Sequence, residues 1–216
     1  MTARPVVNAH QLSLWLGTGW AYRGVDLVVL RGELVVLLGQ DDGWRAPLIH
    51  TLALELDPTE GDLSVCGYVV PEQIAAARQK VGLARLPRHV TTDPSMRVGE
   101  CIHAHLMTAD LPPDADVFAA AADVVGLNAH HETAISELSP LKQRLLAVAL
   151  ALTLPVELML LDDVDQGLDD RARTELWHAL SAVSRTGAAV VAGSASEPGW
   201  ADQVVTLPEG SSKFIP

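Results

Sequence analysis

The sequence predicts an α/β fold, and three stretches carry that expectation. In the first, residues 34–50, LVVLLGQDDGWRAPLIH, an apolar run stops at Gly39, crosses a short polar loop and enters an apolar segment near Pro47. The second, 158–163, is an apolar run ending in two acids, LMLLDD. The third, 188–192, AAVVA, follows a helical pattern over 171–185. A strand, a loop and a helix in that order give the layout of a phosphate-binding loop. The buried strand aims the loop, and the helix presents its free N–H groups to an anion.

Taken in order, Leu12 to Leu16, Val25 to Leu30 and Leu34 to Leu38 read as strands, with turns at 17–19 and 31–32. Pro47 to Glu55 reads as a helix with Pro47 at its first position, where a missing N–H costs little. Residues 57–61, DPTEG, form a turn, and Leu63 to Val70 reads as one strand around Gly67. A short helix over Glu72 to Lys80 precedes a strand at 81–83. Val98 to Thr108 and Asp114 to Val125 read as helices, the second closed by Gly126. Ser139 is a natural N-cap and Pro140 a natural first residue for the apolar helix that continues through Gln143 to Leu152. Strands are expected again at 188–192 and 204–207.

The phosphate-loop pattern is G-x-x-x-x-G-K-[ST]. Gly39 fits its first glycine, while Trp44, Arg45 and Ala46 stand where the second glycine, the lysine and the hydroxyl belong. The candidate cradle is Gly39, Gln40, Asp41, Asp42, Gly43, Trp44, Arg45, Ala46 and Pro47.

Residues 31–67 resemble the opening of ABC-type ATPases, through Gly32, Glu33, Gly39, Pro58, Thr59, Gly61 and Gly67. A second match at 138–169 extends the resemblance over nearly the whole chain. It implies an ABC-type P-loop NTPase-like core, mainly a parallel sheet with an N-terminal antiparallel β subdomain, and an inserted α-helical subdomain. Residues 1–216 would form one such domain, with the helical subdomain at about 87–152. ATP and magnesium are the implied ligands. Asp162 would hold magnesium through water. Asp163 would polarise the attacking water, from a side chain one methylene shorter than the usual glutamate; roughly 1 Å of displacement can cost about a hundredfold. Leu138 and Ser139 match the start of the L-S-G-G-Q signature, which contacts the terminal phosphate of ATP on a partner subunit; Pro140, Leu141 and Lys142 replace the rest. Leu86 stands for the magnesium-liganding glutamine and Ser194 for the phosphate-contacting histidine. Leu16 occupies the adenine-stacking position, and Trp15 beside it is assigned to packing.

The net charge of −12, with no basic run, argues against unaided nucleic-acid binding. Cys66 and Cys101 lack metal or redox spacing and read as two unconnected reduced thiols. The pairs His103/His105 and His130/His131 read as solvated or core side chains rather than a metal site. No apolar run is long enough for a membrane span, and the N-terminus lacks an apolar signal core, so the expected place is the cytoplasm, at the inner face of the membrane through a partner.

Changes at so many motif positions point to a chain that keeps the scaffold and gives up the reaction. The expected function is a pseudo-ATPase subunit with a structural or regulatory role in a transporter complex. Its partners would be a membrane-spanning transporter subunit, an active ABC ATPase subunit, or a second copy. Two alternatives stay open: a working ATPase that uses Arg45 and Asp163 unconventionally, and a nucleotide sensor that binds ATP without hydrolysing it.

Overall fold

The computed structural model describes residues 4–39, 43–86, 93, 95–112 and 115–206. The chain forms two compact units. One comprises residues 1–83, 156–166 and 184–216; the other comprises 84–155 and 167–183.

The first unit holds two sheets. β1 (Val7–Trp15), β2 (Trp20–Val29), β4 (Glu60–Val65) and β5 (Tyr68–Val70) form an antiparallel sheet in the order β2-β1-β4-β5. β3 (Leu34–Leu38), β6 (Val81–Leu83), β7 (Leu158–Leu161), β8 (Ala189–Ser194) and β9 (Gln203–Val205) form a parallel sheet in the order β6-β7-β8-β3-β9. β7 and β8 are buried along their full length, which is why they read as unbroken apolar runs rather than alternating ones. Helix α1 (Arg45–Leu52) follows β3 and buries Leu48, Ile49 and Leu52. The Tyr22 hydroxyl of β2 bonds the Thr51 hydroxyl of α1 at 2.6 Å, and burial pushes the phenol up to about 12. The short helix α2 (Ile74–Arg78) precedes β6.

Several motif residues earn their places structurally. Glu33 accepts the Leu30 N–H at 2.8 Å and closes the turn into β3. Thr59 accepts the Trp15 N–H at 2.9 Å, and Asp202 accepts the Leu34 N–H at 2.8 Å. Gly61 has φ +92, and a Cβ there would lie 2.5 Å from the Gln11 carbonyl oxygen, so β4 can approach β1 only without a side chain.

Three expectations are corrected. The run from Leu63 to Val70 is not one strand but a hairpin of β4 and β5, because Cys66 and Gly67 both take positive φ, 53° and 81°, as a tight turn between right-twisted strands requires. β1 begins at Val7, five residues early, and β2 at Trp20. Helix α1 starts at Arg45 and stops at Leu52, which places Pro47 third. Trp15, assigned to packing, meets the Trp20 ring edge-on at 5.4 Å while remaining 44% exposed.

The second unit is helical. Its elements are α3 (Val98–Thr108), α4 (Ala115–Val125), α5 (Pro140–Leu152) and most of α6 (Asp170–Arg185). Glu100 reaches back to the Arg97 N–H at 2.8 Å and fixes the start of α3. Gly126 takes φ +68 just past α4, as a helix stop does. Ser139 caps α5, its hydroxyl accepting the Lys142 N–H at 3.3 Å, with Pro140 at the first position as expected. α4 packs on α5. Both cysteines are free thiols, and burial pushes the Cys101 thiol up to about 11.

Candidate phosphate-loop site

The strand order places the tips of β7, β8 and β3 side by side, so the ends of three buried strands converge beside the N-terminus of α1. The Gly39 N–H donates to the Ser194 carbonyl at 3.2 Å and ties the tip of β3 to that of β8. Residues 40–42, with the candidates Gln40, Asp41 and Asp42, lie outside the described residues. The chain resumes at Gly43, with φ +70, and Trp44 precedes α1.

The Trp44 side chain faces inward. Only 2% of the residue is exposed, and its indole packs over Gly39: a Cβ built there would meet the indole nitrogen at 3.0 Å. The buried indole thus lies against the first residue of the candidate loop. Ala46 supplies no hydroxyl.

Arg45, the first residue of α1, is turned toward β7. Its Nη2 donates to Oδ1 of Asp163 at 2.7 Å. The Arg45 side chain is 9% exposed and that of Asp163 is 42% exposed, so the carboxylate stands on the solvent side of a buried cation. The Arg45 Nη1 is buried and has no hydrogen-bond partner among the described residues. Asp163 takes φ +42, an uncommon conformation for a residue with a side chain.

Asp162 follows β7 directly, next to Gly193 of β8. Its Oδ1 is buried, with no partner among the described residues. A Cβ on Gly193 would lie 3.2 Å from that oxygen and 3.1 Å from Ile49, so a side chain there would push on both. Burial, and then the neighbouring Asp163 charge, raise the Asp162 carboxyl above the ordinary range.

Sequence reading missed a second carboxylate cluster. Ser194 is fully buried and donates its hydroxyl to Oδ2 of Asp165 at 2.8 Å. The Ser196 hydroxyl reaches the same oxygen at 2.9 Å, and the Ala195 N–H reaches Oδ1 at 3.4 Å. Burial alone would raise the Asp165 carboxyl, but these donors together hold it below the ordinary range. The only sequence signal was the alternation of Ser194 and Ser196 beyond an apolar strand.

Gly39, Trp44, Arg45, Asp162 and Asp163 thus share the first unit. Ser139 belongs to the second, where with Pro140, Leu141, Gly167, Asp169 and Arg171 it lines a cavity of about 330 Å³. Toward a hydrated divalent cation the described residues of the first unit offer the unpaired Asp162 oxygen. Toward a polyphosphate they offer the α1 N-terminus and one guanidinium, which Asp163 already compensates. That set fits a magnesium nucleotide only in part.

Comparisons with known proteins agree with this architecture. The ribose import ATP-binding protein RbsA 2 of Rhizobium etli is 24% identical over 196 residues, which cover 88% of this chain and 38% of that protein. The energy-coupling factor transporter ATP-binding protein EcfA of Methanothermobacter thermautotrophicus is 28% identical over 180 residues, covering 81% of this chain and 57% of that protein. The chain therefore spans less than two thirds of the length of these relatives. Among solved structures, cbiO1 of Clostridium perfringens, part of the ABC transporter complex cbiONQ, superposes with a TM-score of 0.82 at 19% identity, over 95% of this chain and 86% of that one. The dimeric structure of a bacterial ABC transporter cassette superposes with a TM-score of 0.75 at 16% identity, over 93% and 94%. The family model described as ABC transporter matches residues 22–166, from β2 through the phosphate loop and the helical unit to the acids after β7, and the chain belongs to that family.

Proposed function

We propose that the chain serves as the ATP-binding-cassette subunit of a membrane transporter complex, and that its own site hydrolyses little or no ATP. Its role in the complex is then structural or regulatory. The observation that carries this reading is the 2.7 Å ion pair between Arg45 and Asp163. In a working site the first group faces the phosphates and the second faces the attacking water; here they face each other. A carboxylate oxygen that accepts a hydrogen bond from a guanidinium is turned away from an attacking water, and a compensated guanidinium binds an external anion less well. The substitutions at 44, 46, 86 and 194 act in the same direction.

The relatives are ATP-binding proteins of transporters, which supports the transporter setting, and this chain would work there beside a membrane-spanning subunit and an active cassette, or a second copy of itself. Among the described residues no helix is long and apolar enough to cross a membrane, so attachment at the inner face would come through the partner. The net charge of −12 argues against nucleic acid as a partner. The single-domain organisation of 1–216, with a helical subdomain at about 87–152, belongs to the same proposal.

Phosphate release from Mg-ATP by the purified chain tests the reading. The expected rate equals that of the Asp162→Asn and Asp163→Asn variants. Turnover that either substitution abolishes overturns it and restores the working-ATPase alternative. One observation favours a second reading, a sensor that binds nucleotide without hydrolysis: the Asp162 Oδ1 is buried with no hydrogen-bond partner among the described residues, and so offers a cation an acceptor. Saturable Mg-ATP binding without phosphate release would select it.

A further inference from the structure

We propose that the Arg45–Asp163 pair is an autoinhibitory contact: the Asp163 carboxylate occupies, from within the chain, the place at the Arg45 guanidinium that an external polyphosphate oxygen would take. The inference rests on the reading above, that the native site is closed to productive nucleotide, and it adds what closes it.

Four features support this assignment. The pair is used on one prong. Nη2 donates to Asp163, while Nη1 is buried without a partner among the described residues, so the fork retains an unused donor. A guanidinium fork matches two oxygens at once. The burial is also asymmetric. At 9% exposure the Arg45 side chain is fixed in the protein, whereas that of Asp163, at 42%, lies toward solvent and can leave without opening the core.

The backbone holds Asp163 at φ +42, so its present position is not one the chain adopts without cost. Asp163 is also the chain neighbour of Asp162, whose buried Oδ1 has no hydrogen-bond partner among the described residues, so the two acids repel while both are charged. Replacing the Asp163 charge by an incoming anion keeps Arg45 compensated. The exchange is one acceptor for another at a preformed cation, with no bond made or broken.

The test uses the full chain and inorganic tripolyphosphate, followed by calorimetry at constant ionic strength, with native protein and Asp163→Asn. Asparagine suits a positive φ and should keep the backbone; Asp163→Gly, equally suited, is the second variant if the first folds poorly. The expected result is a gain in tripolyphosphate affinity of about tenfold or more, 1.4 kcal/mol per decade.

The gain must depend on Arg45. In an Arg45→Gln background the same Asp163 substitution should change affinity by less than about twofold. An equal gain with and without Arg45 would mean simple removal of negative charge and would overturn the proposal, as would no gain in either background.

The two ideas fail separately. Micromolar Mg-ATP binding with turnover by the native chain overturns the proposed function. A silent native chain together with a silent Asp163→Asn chain overturns the autoinhibitory contact alone.

Discussion

Ser194 donates its hydroxyl to the Asp165 carboxylate at 2.8 Å and joins the end of β8 to the turn after β7. Ser194 is thus turned inward and engaged with the chain's own loop. With Ser196 and the Ala195 N–H it makes a closed set of donors around one buried carboxylate.

Asp165→Asn is expected to cost about 1–3 kcal/mol at neutral pH, because buried hydroxyls lose a charged acceptor. The folded Asp165 carboxyl lies below its ordinary value, so its contribution is complete above the unfolded value of about 4 and is lost as pH falls through the lower folded one. Urea unfolding should show a gap between native and variant that is full at pH 7 and narrows below about pH 4. A gap independent of pH would contradict the assignment.

Trp44→Ala should lose about 3–5 kcal/mol in denaturant unfolding, since it empties the space beneath Gly39 that a nearly fully buried indole fills. A loss below about 1 kcal/mol would place the indole in solvent instead.

Gly61→Ala should destabilise by more than an ordinary surface change, roughly 1–3 kcal/mol, because the added Cβ meets the Gln11 backbone and φ is +92. An unchanged melting midpoint would show that β1 and β4 can separate without cost.

The fold was legible where the local chemistry was complete. Ser139 and Pro140 announced α5, Gly126 announced the end of α4, and the apolar run into Asp162 announced β7. Reading failed where tertiary pairing overrides local pattern. Asn8, His10 and Gln11 are polar, and the β1–β2 register shifts near them, so the first half of β1 lacked a strand signal. The hairpin turn at Cys66 and Gly67 was hidden inside an apolar run, although a glycine there was the available clue. The site was half legible. Each of Arg45, Asp162 and Asp163 could be named from its motif position, but their contact links residues 118 apart in sequence, and no local rule anticipates that. Asp165 matched no motif and was passed over.

Asp162→Asn should raise the thermal midpoint at pH 7. The native carboxyl is raised above its ordinary range, which means that the folded chain disfavours its charge; neutralising it removes that cost. The advantage should vanish as pH falls and the native Asp162 itself becomes protonated. Destabilisation at neutral pH would instead show that the charge is compensated.

Closure of the candidate phosphate site from within the chain rests on Trp44 against Gly39 and Asp163 against Arg45. Its most direct test is a titration of the purified chain with Mg-ATP, followed by tryptophan fluorescence because Trp44 lies in the loop, with thermal shift on the same samples. The account predicts no saturable change below about 1 mM, corresponding to binding weaker than about −4 kcal/mol. Saturation in the micromolar range, with a matching rise in melting temperature, would contradict it.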